Sequence, residues 1–313
     1  MFQTKPQIAI DLVDRALRNG VRVAYWTCDE LYGRDGAFLD ALDTRNQAFV
    51  AEIPNDMRVW TKPPQVVHHA TRKRPGRPKQ TPYVAAVPAR CEVRSLLKHS
   101  SRFHQQTWQR YLIKETNKGP EVWEVKHLTV WRNTSAGLPS NRQTLIVTRS
   151  LRTGEIKYFL SNRVVGENGV TLRGLLRVAF GRWAIEACFR LAKEELGLDH
   201  FEVRSWHCIH RHFFVTGLSF LLCSRIRQDL DPGRTQELTV EQVRRSLNTW
   251  LQHHDLPPPL RDEKFQQELD QQRYYQHRNA QAQRSHTQTR RELYKQLGVH
   301  VDQIKTCIPI DES

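Results

Sequence analysis

The sequence has no long apolar run and no paired cysteine motif, and these two absences exclude whole classes of protein. No stretch reaches the ~18 apolar residues that a membrane-spanning helix needs, and the longest, residues 213–223, predicts a buried helix. The opening MFQTKPQIAI lacks the architecture of a signal peptide. None of the six cysteines forms a C-x-x-C motif, so we expect free thiols in a reducing compartment rather than a disulfide framework or a zinc ribbon.

Over the chain as a whole, basic residues outnumber acidic ones. Lys and Arg total 48 against 33 Asp and Glu, which gives a net charge of +15 over 313 residues. An apolar share of 39% is too high for a disordered tail, and the length predicts one large domain or two smaller ones. A basic balance of this size favours nucleic acid as a partner and, less often, an anionic membrane surface.

The first 60 residues alternate between helical and strand-like patterns. Helical spacing covers residues 9–17, a β-rich stretch spans 21–26, a short helix carries 38–42, and a second strand spans 48–54. This order is typical of a parallel α/β sheet, in which active sites lie beyond the carboxyl ends of the strands. Asp29 follows the first strand at such a place.

Residues 61–165 change character twice. A Pro- and Arg-rich stretch predicts a linker, in which Arg74 and Arg77 lie in a sequence similar to a minor-groove AT-hook, with Pro75 where that motif has Arg before Gly. A flexible basic linker would contact phosphates without any motif. From about 108 to 160, four strand-like stretches separated by turns predict an antiparallel β meander, whose tryptophans fit either the core or base stacking.

The remaining chain predicts helices, in segments 166–230 and 231–313. Thr239 and Gln242 form a capping box for a helix ending near residue 253. The stretch 262–297 is rich in Gln and Arg and predicts a long, poorly buried helix or a mobile tail. The run 274–279, with Arg284, Arg290 and Arg291, fits a helix on a DNA backbone and a solvated tail equally well.

One helical stretch carries a candidate for chemistry. At ~100° per residue, Arg182, Glu186 and Lys193 share a narrow stripe. The apolar positions beside this stripe, which we expect to face the core, are Val178, Ile185, Ala192 and Leu196. Glu supplies a hard oxygen ligand for Mg²⁺, and Arg and Lys neutralise phosphate oxygens. The same spacing also occurs in helices that merely carry surface ion pairs.

Two stretches resemble signature blocks of bacterial insertion-sequence transposases of the DDE class, which have an RNase H-like fold. They are CDELYGRDGAFLDALDTRNQAFVAEIP and RWAIEACFRLAKEELGLDHFEVRSWHCIHRH. The family pattern Tyr-x2-Arg-x3-Glu-x6-Lys is matched by Arg182, Glu186 and Lys193, whereas Ala179 stands at the Tyr position. The family's second catalytic Asp falls on Asp29. The wide separation of the two blocks fits the subgroup that has a β-rich insertion before the Glu helix.

The resemblance implies a site and partners. Asp29 and Glu186 would be catalytic ligands of a two-metal site holding Mg²⁺ or Mn²⁺, which in the family cuts DNA at element ends and joins the ends to target DNA. Arg182 and Lys193 would contact DNA phosphates. The implied setting is the bacterial cytoplasm near the nucleoid, with no membrane, and a homodimer stays open.

One departure from the family bears on activity. The family's first catalytic Asp lies on an earlier strand, but Asp11 and Asp14 fall within the first predicted helix. We therefore expect an N-terminally truncated transposase with an incomplete RNase H-like sheet (α/β, with an inserted antiparallel β subdomain and a helical C-terminal part) and impaired cleavage. The alternatives are a catalytically dead DNA-binding remnant and, less favoured, a metal-dependent nuclease unrelated to transposition.

Overall fold

The computed structural model describes residues 2–67, 82–85, 88–116, 119–230, 238–253, 257–300 and 304–307. The chain divides into two compact units. Unit 1 comprises Met1–Arg182 and Arg290–Ser313, and unit 2 comprises Trp183–Thr289. The division into segments 1–60, 61–165, 166–230 and 231–313 stays a prediction.

Unit 1 is built from short helices and one large sheet. Its helices are α1 (Lys5–Arg18), α2 (Glu30–Gly33), α3 (Gly36–Thr44), α4 (Val93–His99), α5 (Ser101–Gln105) and α6 (Leu172–Gly181). Its strands are β1 (Trp26–Cys28), β2 (Phe49–Ile53), β3 (Arg58–Trp60), β4 (Val66–Val67), β5 (Tyr83–Val84), β6 (Cys91–Glu92), β7 (Gln109–Thr116), β8 (Gly119–Arg132), β9 (Gln143–Ser150), β10 (Ile156–Ser161) and β11 (Lys305–Thr306).

The first elements follow the sequence pattern with one shift. The predicted α1, α3 and β2 are confirmed, and α1 begins with a capping box between Thr4 and Gln7. The prediction of a strand at residues 21–26 is wrong in position, because pairing with β2 begins at Trp26 and β1 ends at Cys28. Val21 and Val23 are exposed. β-propensity yields a strand only where a partner strand and a buried face are available.

The sheet is mixed and continuous. Its strand order is β1-β2-β10-β9-β8-β3-β6, with β7 on β8 and β11 on β7. The predicted parallel pair of β1 and β2 and the predicted antiparallel meander of β7 to β10 are both confirmed. The meander extends the sheet of β1 and β2, because β10 pairs antiparallel with β2. Among the described strands β1 has only β2 as a neighbour, so it forms one edge of the sheet.

Helices cover both faces of this sheet. Leu145 and Val147 of β9 face a core that also contains buried residues of α1, α3, α4 and α5. Ile146, between them, faces a second core that contains Leu175 and Leu176 of α6. Side chains that alternate between two buried faces place the sheet in the middle of three layers. The α/β class is thereby confirmed.

A buried ion pair fixes α3 to the end of β8. The side chain of Arg132 is 3% exposed, and its Nη2 lies 2.5 Å from Oδ1 of Asp40. Burial raises the pKa of the Asp40 carboxyl, but hydrogen bonds from Ser135 and from Arg132 outweigh burial and hold that pKa below its usual value. The pair therefore stabilises the fold while Asp40 is ionised.

Unit 2 is helical and has a small core. Its helices are α7 (Trp183–Leu196), α8 (Trp206–Leu230), α9 (Val240–His253) and α10 (Pro258–Gln296), the last of which ends beyond the unit. The core contains Cys223, Val240 and Val243. The predicted capping box is confirmed. The backbone amide of Gln242 donates to Thr239 Oγ1, and the backbone amide of Thr239 donates to Gln242 Oε1. The stretch 262–297 forms a helix rather than a tail.

Two predicted absences concern the whole described chain. Within its described residues, no helix combines the length and the apolar character that a bilayer crossing requires. The six cysteines, all of them described, are free thiols as predicted.

Candidate active site

Asp29 lies at the carboxyl end of β1, where the sequence pattern predicts a functional carboxylate. It directly follows Cys28 and is the N-cap of α2. The Leu31 amide donates to Asp29 Oδ1 over 3.1 Å, which satisfies one of the free amides of the helix start. One carboxylate oxygen is thus used to cap the helix. The half-buried side chain is held at a fixed place at the end of the strand.

A close approach between α2 and β2 fixes this cap. A Cβ atom on Gly33 would lie 1.9 Å from the backbone oxygen of Glu52, so only glycine allows α2 to pack directly on the strand. The Gly33 amide donates to the Asp29 carbonyl oxygen. The position of Asp29 is therefore determined by backbone packing and not by a flexible loop.

Charges of both signs act on the end of β1. Burial, together with the negative charges of Asp29 and Glu52 and against the positive charge of Arg182, raises the pKa of the Cys28 thiol to about 12. The thiol therefore stays protonated at neutral pH. Arg182, predicted to contact phosphate, lies close enough to this end of β1 to influence its electrostatics.

An open cleft lies beside the carboxyl end of β2. It has a volume of about 290 Å³. The charged residues that line it are Glu30, Arg34, Glu52, Asp56 and Lys157. Glu30 pairs with Arg34 over 2.6 Å, and Glu52 pairs with Lys157 over 3.4 Å. These residues were not predicted from the sequence, although Glu52 near the end of a predicted strand was a usable signal.

The predicted stripe of Arg182, Glu186 and Lys193 does not lie on one helix. The structure interrupts the helix at Arg182, which follows Gly181 and separates α6 from α7. Glycine is a poor helix former and favours such an interruption. Glu186 and Lys193 are exposed on α7 in unit 2, where Lys193 lies 3.9 Å from Asp199. Arg182 belongs to unit 1.

The apolar side of the predicted stripe is also only partly confirmed. Ala192 is buried and Leu196 packs against the small core of unit 2, as expected. Ile185 was expected to face the core but is 49% exposed. Helical spacing identified the face, but unit 2 has too little core to cover all of it.

The described residues do not gather a metal site. In the ranges that the structure describes, no three side chains of His, Cys, Asp or Glu come together in a way that could hold a metal ion. Asp29 belongs to unit 1 and Glu186 to unit 2. Arg74 and Arg77 lie outside the described residues. The divalent metal implied by the resemblance is thus not matched by a donor set in this arrangement.

Two ring side chains outside this site have structural roles. Trp123 is 7% exposed and packs against Phe180 with ring centroids 5.1 Å apart, so it is a core residue and not a base-stacking platform. His212 Nε2 lies 2.9 Å from the carbonyl oxygen of Gly197, which links α8 to the turn after α7.

The N-terminal part of the chain is similar to a known class of nucleases. Residues 1–115 match the family model described as DDE superfamily endonuclease. The matched stretch contains Asp29 and α2 and ends before the Glu186 block. No curated protein matches the sequence. The similarity covers a little over a third of the chain.

Proposed function

We propose that the chain acts as a DDE-class DNA transposase of a bacterial insertion sequence, with an RNase H-like core. The observation that carries the proposal is the placement of Asp29 at the carboxyl end of β1, inside the stretch similar to DDE superfamily endonucleases. In parallel α/β sheets this is where chemistry is found. The inferred setting is the bacterial cytoplasm, at the nucleoid.

Each site residue has a proposed role. Asp29 and Glu186 are ligands for Mg²⁺ or Mn²⁺, which prefer carboxylate oxygens and stabilise charge on a transferring phosphate. Arg182 and Lys193 neutralise phosphate oxygens of the bound DNA end. Arg74 and Arg77 add phosphate contacts from the linker. The cap bond to Leu31 fixes Asp29 before any ligand binds.

We also propose that this chain alone cleaves DNA poorly. The proposed site has two carboxylates, and no third metal-capable side chain joins a cluster among the described residues. A two-carboxylate site holds a divalent metal weakly, because Mg²⁺ and Mn²⁺ derive much of their affinity from the number of charged oxygen ligands. The same observation favours the second candidate, a DNA-binding protein without catalytic activity.

Metal binding and cleavage together separate these candidates. Mn²⁺ is titrated into the full chain, and the electron paramagnetic resonance signal of free Mn²⁺ reports how much of the ion is bound. We expect Asp29→Asn and Glu186→Gln each to weaken Mn²⁺ binding about tenfold, whereas the exposed controls Glu155→Gln and Glu202→Gln leave it unchanged. Unchanged binding in both site variants would favour the non-catalytic candidate.

Cleavage of duplex DNA with Mg²⁺ or Mn²⁺ tests the impairment. We expect slow nicking at most, and Asp29→Asn removes whatever nicking occurs. Fast cutting by the unmodified chain that Asp29→Asn abolishes would support the transposase site and refute the proposed impairment.

For the oligomeric state we propose a homodimer formed through α8. Between His212 and Ser224 this helix has no charged residue. Its buried face, with Thr216 and Cys223, contacts the core of unit 2. The opposite face is apolar too. Phe214, Leu218 and Leu221 are 67%, 50% and 49% exposed.

A second copy fits this face best. A helix that is apolar all round is normally buried on all sides, and contiguous exposed apolar patches of several hundred Å² mark interaction sites. Two antiparallel copies of the uncharged stretch would meet without like charges facing each other. A two-fold contact of this kind forms a closed dimer. This proposal concerns association only and is independent of the metal site.

Sedimentation equilibrium tests the dimer. We expect a dimer for the unmodified chain and a monomer for Phe214→Lys, because a lysine at the centre of a two-fold interface buries two like charges. Ile156→Lys is the control, since Ile156 is also exposed but lies in unit 1. A monomeric unmodified chain would refute the dimer.

A further inference from the structure

One segment of α10 differs from the rest of the helix in charge. Residues 271–289, here called the basic segment, contain three arginines and two histidines but no Asp or Glu. The preceding part of the same helix, 258–270, contains four acidic residues. Acidic residues that would neutralise the arginines are therefore missing from the sequence of this segment.

Three basic side chains of this segment share one face. At ~100° per residue, Arg273, His277 and Arg284 fall within about 40° of each other around the helix. By the same geometry Arg273 and Arg284 are about 16 Å apart along the axis. Among the described residues, Arg284 forms no ion pair, and Arg273 has only the exposed Asp270 at 3.4 Å.

The opposite face of α10 contacts α9. Arg245 of α9 lies 3.3 Å from Glu268 and also bonds Gln271, and its guanidinium lies 6.0 Å from the ring centre of Tyr275. Gln272 donates to Ser246 over 2.8 Å. These contacts hold α10 on one side and leave the cationic face turned away from α9.

The basic segment is exposed on nearly all sides. All its residues except Gln272 and His286 are exposed. A helix that is polar all round gains little from packing and needs another source of stability. A polyanion that pairs with the arginines would supply it.

We propose that the basic segment of α10 is a binding site for duplex DNA, with the helix seated in the major groove. That groove is ~12 Å wide and admits one α-helix of ~10–12 Å diameter. The arginines would pair with phosphates on its walls, and Gln and Asn side chains of the segment have the donors and acceptors that base edges require. The choice of DNA rests on the proposed function.

Other polyanions fit the basic segment less well. Proteins that bind single strands rely on stacked aromatic side chains, and Tyr274 and Tyr275 are the only aromatic residues of the segment. The deep, narrow major groove of double-stranded RNA does not admit a helix. Helices that bind anionic membranes need an apolar face, which this sequence does not provide.

Fluorescence anisotropy with a labelled DNA duplex tests the site on the full chain. The test variant combines Arg273→Gln, Arg278→Gln and Arg284→Gln, which preserve helix propensity. The control combines Arg211→Gln, Arg225→Gln and Lys264→Gln, which remove the same charge from exposed positions elsewhere in unit 2. We expect the test variant to bind about 10- to 100-fold more weakly and its salt slope to fall by about 2 to 3, one for each lost phosphate contact.

The outcomes are distinct. Equal weakening by test and control variants would refute the site, as would a single strand, an RNA duplex or anionic vesicles binding more tightly than duplex DNA. The test variant should leave Mn²⁺ binding intact, because its three substitutions lie outside the proposed metal site, whereas Asp29→Asn should weaken Mn²⁺ binding. Failure of this inference is therefore separable from failure of the proposed metal site.

Discussion

The two units differ sharply in how many of their apolar side chains are buried. Among the described residues, 32 of the 36 buried apolar side chains belong to unit 1, whereas 18 of the 25 exposed large apolar side chains belong to unit 2. Burial of apolar area is the main stabilising contribution to a fold. Unit 1 therefore supplies its own core, and unit 2 depends on whatever covers its surface.

This contrast separates the two proposed metal ligands. Asp29 lies on a strand end that backbone packing and a sheet with two buried faces hold in place. Glu186 lies on an exposed turn of α7, in a unit with a small core. We infer that the Asp29 end of the site is preorganised, whereas the Glu186 end is ordered by association or by DNA.

We expect the largest difference in the free energy of unfolding when one phenylalanine is truncated in each unit. Phe49 is 0% exposed and Phe214 is 67% exposed. Phe49→Ala should lower the free energy of unfolding by about 3–5 kcal/mol, because it leaves a cavity in the core. Phe214→Ala should change it by less than about 0.5 kcal/mol in the monomer. Urea unfolding measures both, and equal losses would remove the contrast.

The ion pair of unit 1 should be the next most costly to break. Arg132→Met leaves Asp40 without its cationic partner and should cost about 2–4 kcal/mol. The matched change Arg245→Met, in unit 2, removes a more exposed guanidinium (24% against 3%) and should cost less. A larger loss for Arg245→Met would contradict the ranking.

The pH dependence of this pair has a definite sign. The pKa of Asp40 is lower in the folded protein than the ordinary value of 3.8. Its stabilising contribution is therefore complete above that value and is lost as the pH falls through the folded pKa. In urea unfolding, the difference between the unmodified chain and Asp40→Asn should shrink as the pH is lowered below about 4. A difference that grew there would show that Asp40 is not held ionised.

We expect a smaller difference in stability between alanine substitutions at two glycines. Gly33→Ala places a methyl group against the Glu52 backbone and should cost about 1–3 kcal/mol. Gly217, inside α8, has nothing within 4 Å of an added Cβ, so Gly217→Ala should stabilise by up to about 1 kcal/mol. Thermal unfolding of the two variants measures the sign of each change in stability. A neutral Gly33→Ala would show that α2 does not pack as described.

Local patterns predicted the elements of this protein better than their pairing. The capping box at Thr239 and the meander were predictable, because a helix cap and an alternating strand each depend on residues that are close together in the sequence. The pairing of β10 with β2 was not, because it joins residues far apart in the chain. The shift of β1 to Trp26 has the same origin, since register depends on a partner strand.

The candidate site was predictable to a similar degree. The carboxyl end of a strand identified Asp29 without knowledge of its contacts. The interruption at Arg182 was not foreseen, because a single glycine in a helical pattern is often tolerated. The prediction of a buried helix at residues 213–223 is confirmed for the helix and wrong for the burial of Phe214. The exposure of Phe214 and of Ile185 was not predictable, because helical spacing identifies an apolar face but not the residues that cover it.

The proposed function requires Asp29 to be a metal ligand and not merely a helix cap. Asparagine caps a helix as well as aspartate does, so Asp29→Asn should leave the free energy of unfolding nearly unchanged. Titration of Mn²⁺ against the unmodified chain and this variant is the most direct test. We expect Mn²⁺ to bind about tenfold more weakly to this variant, at equal stability of the two proteins. Equal Mn²⁺ affinity in the two proteins would contradict it.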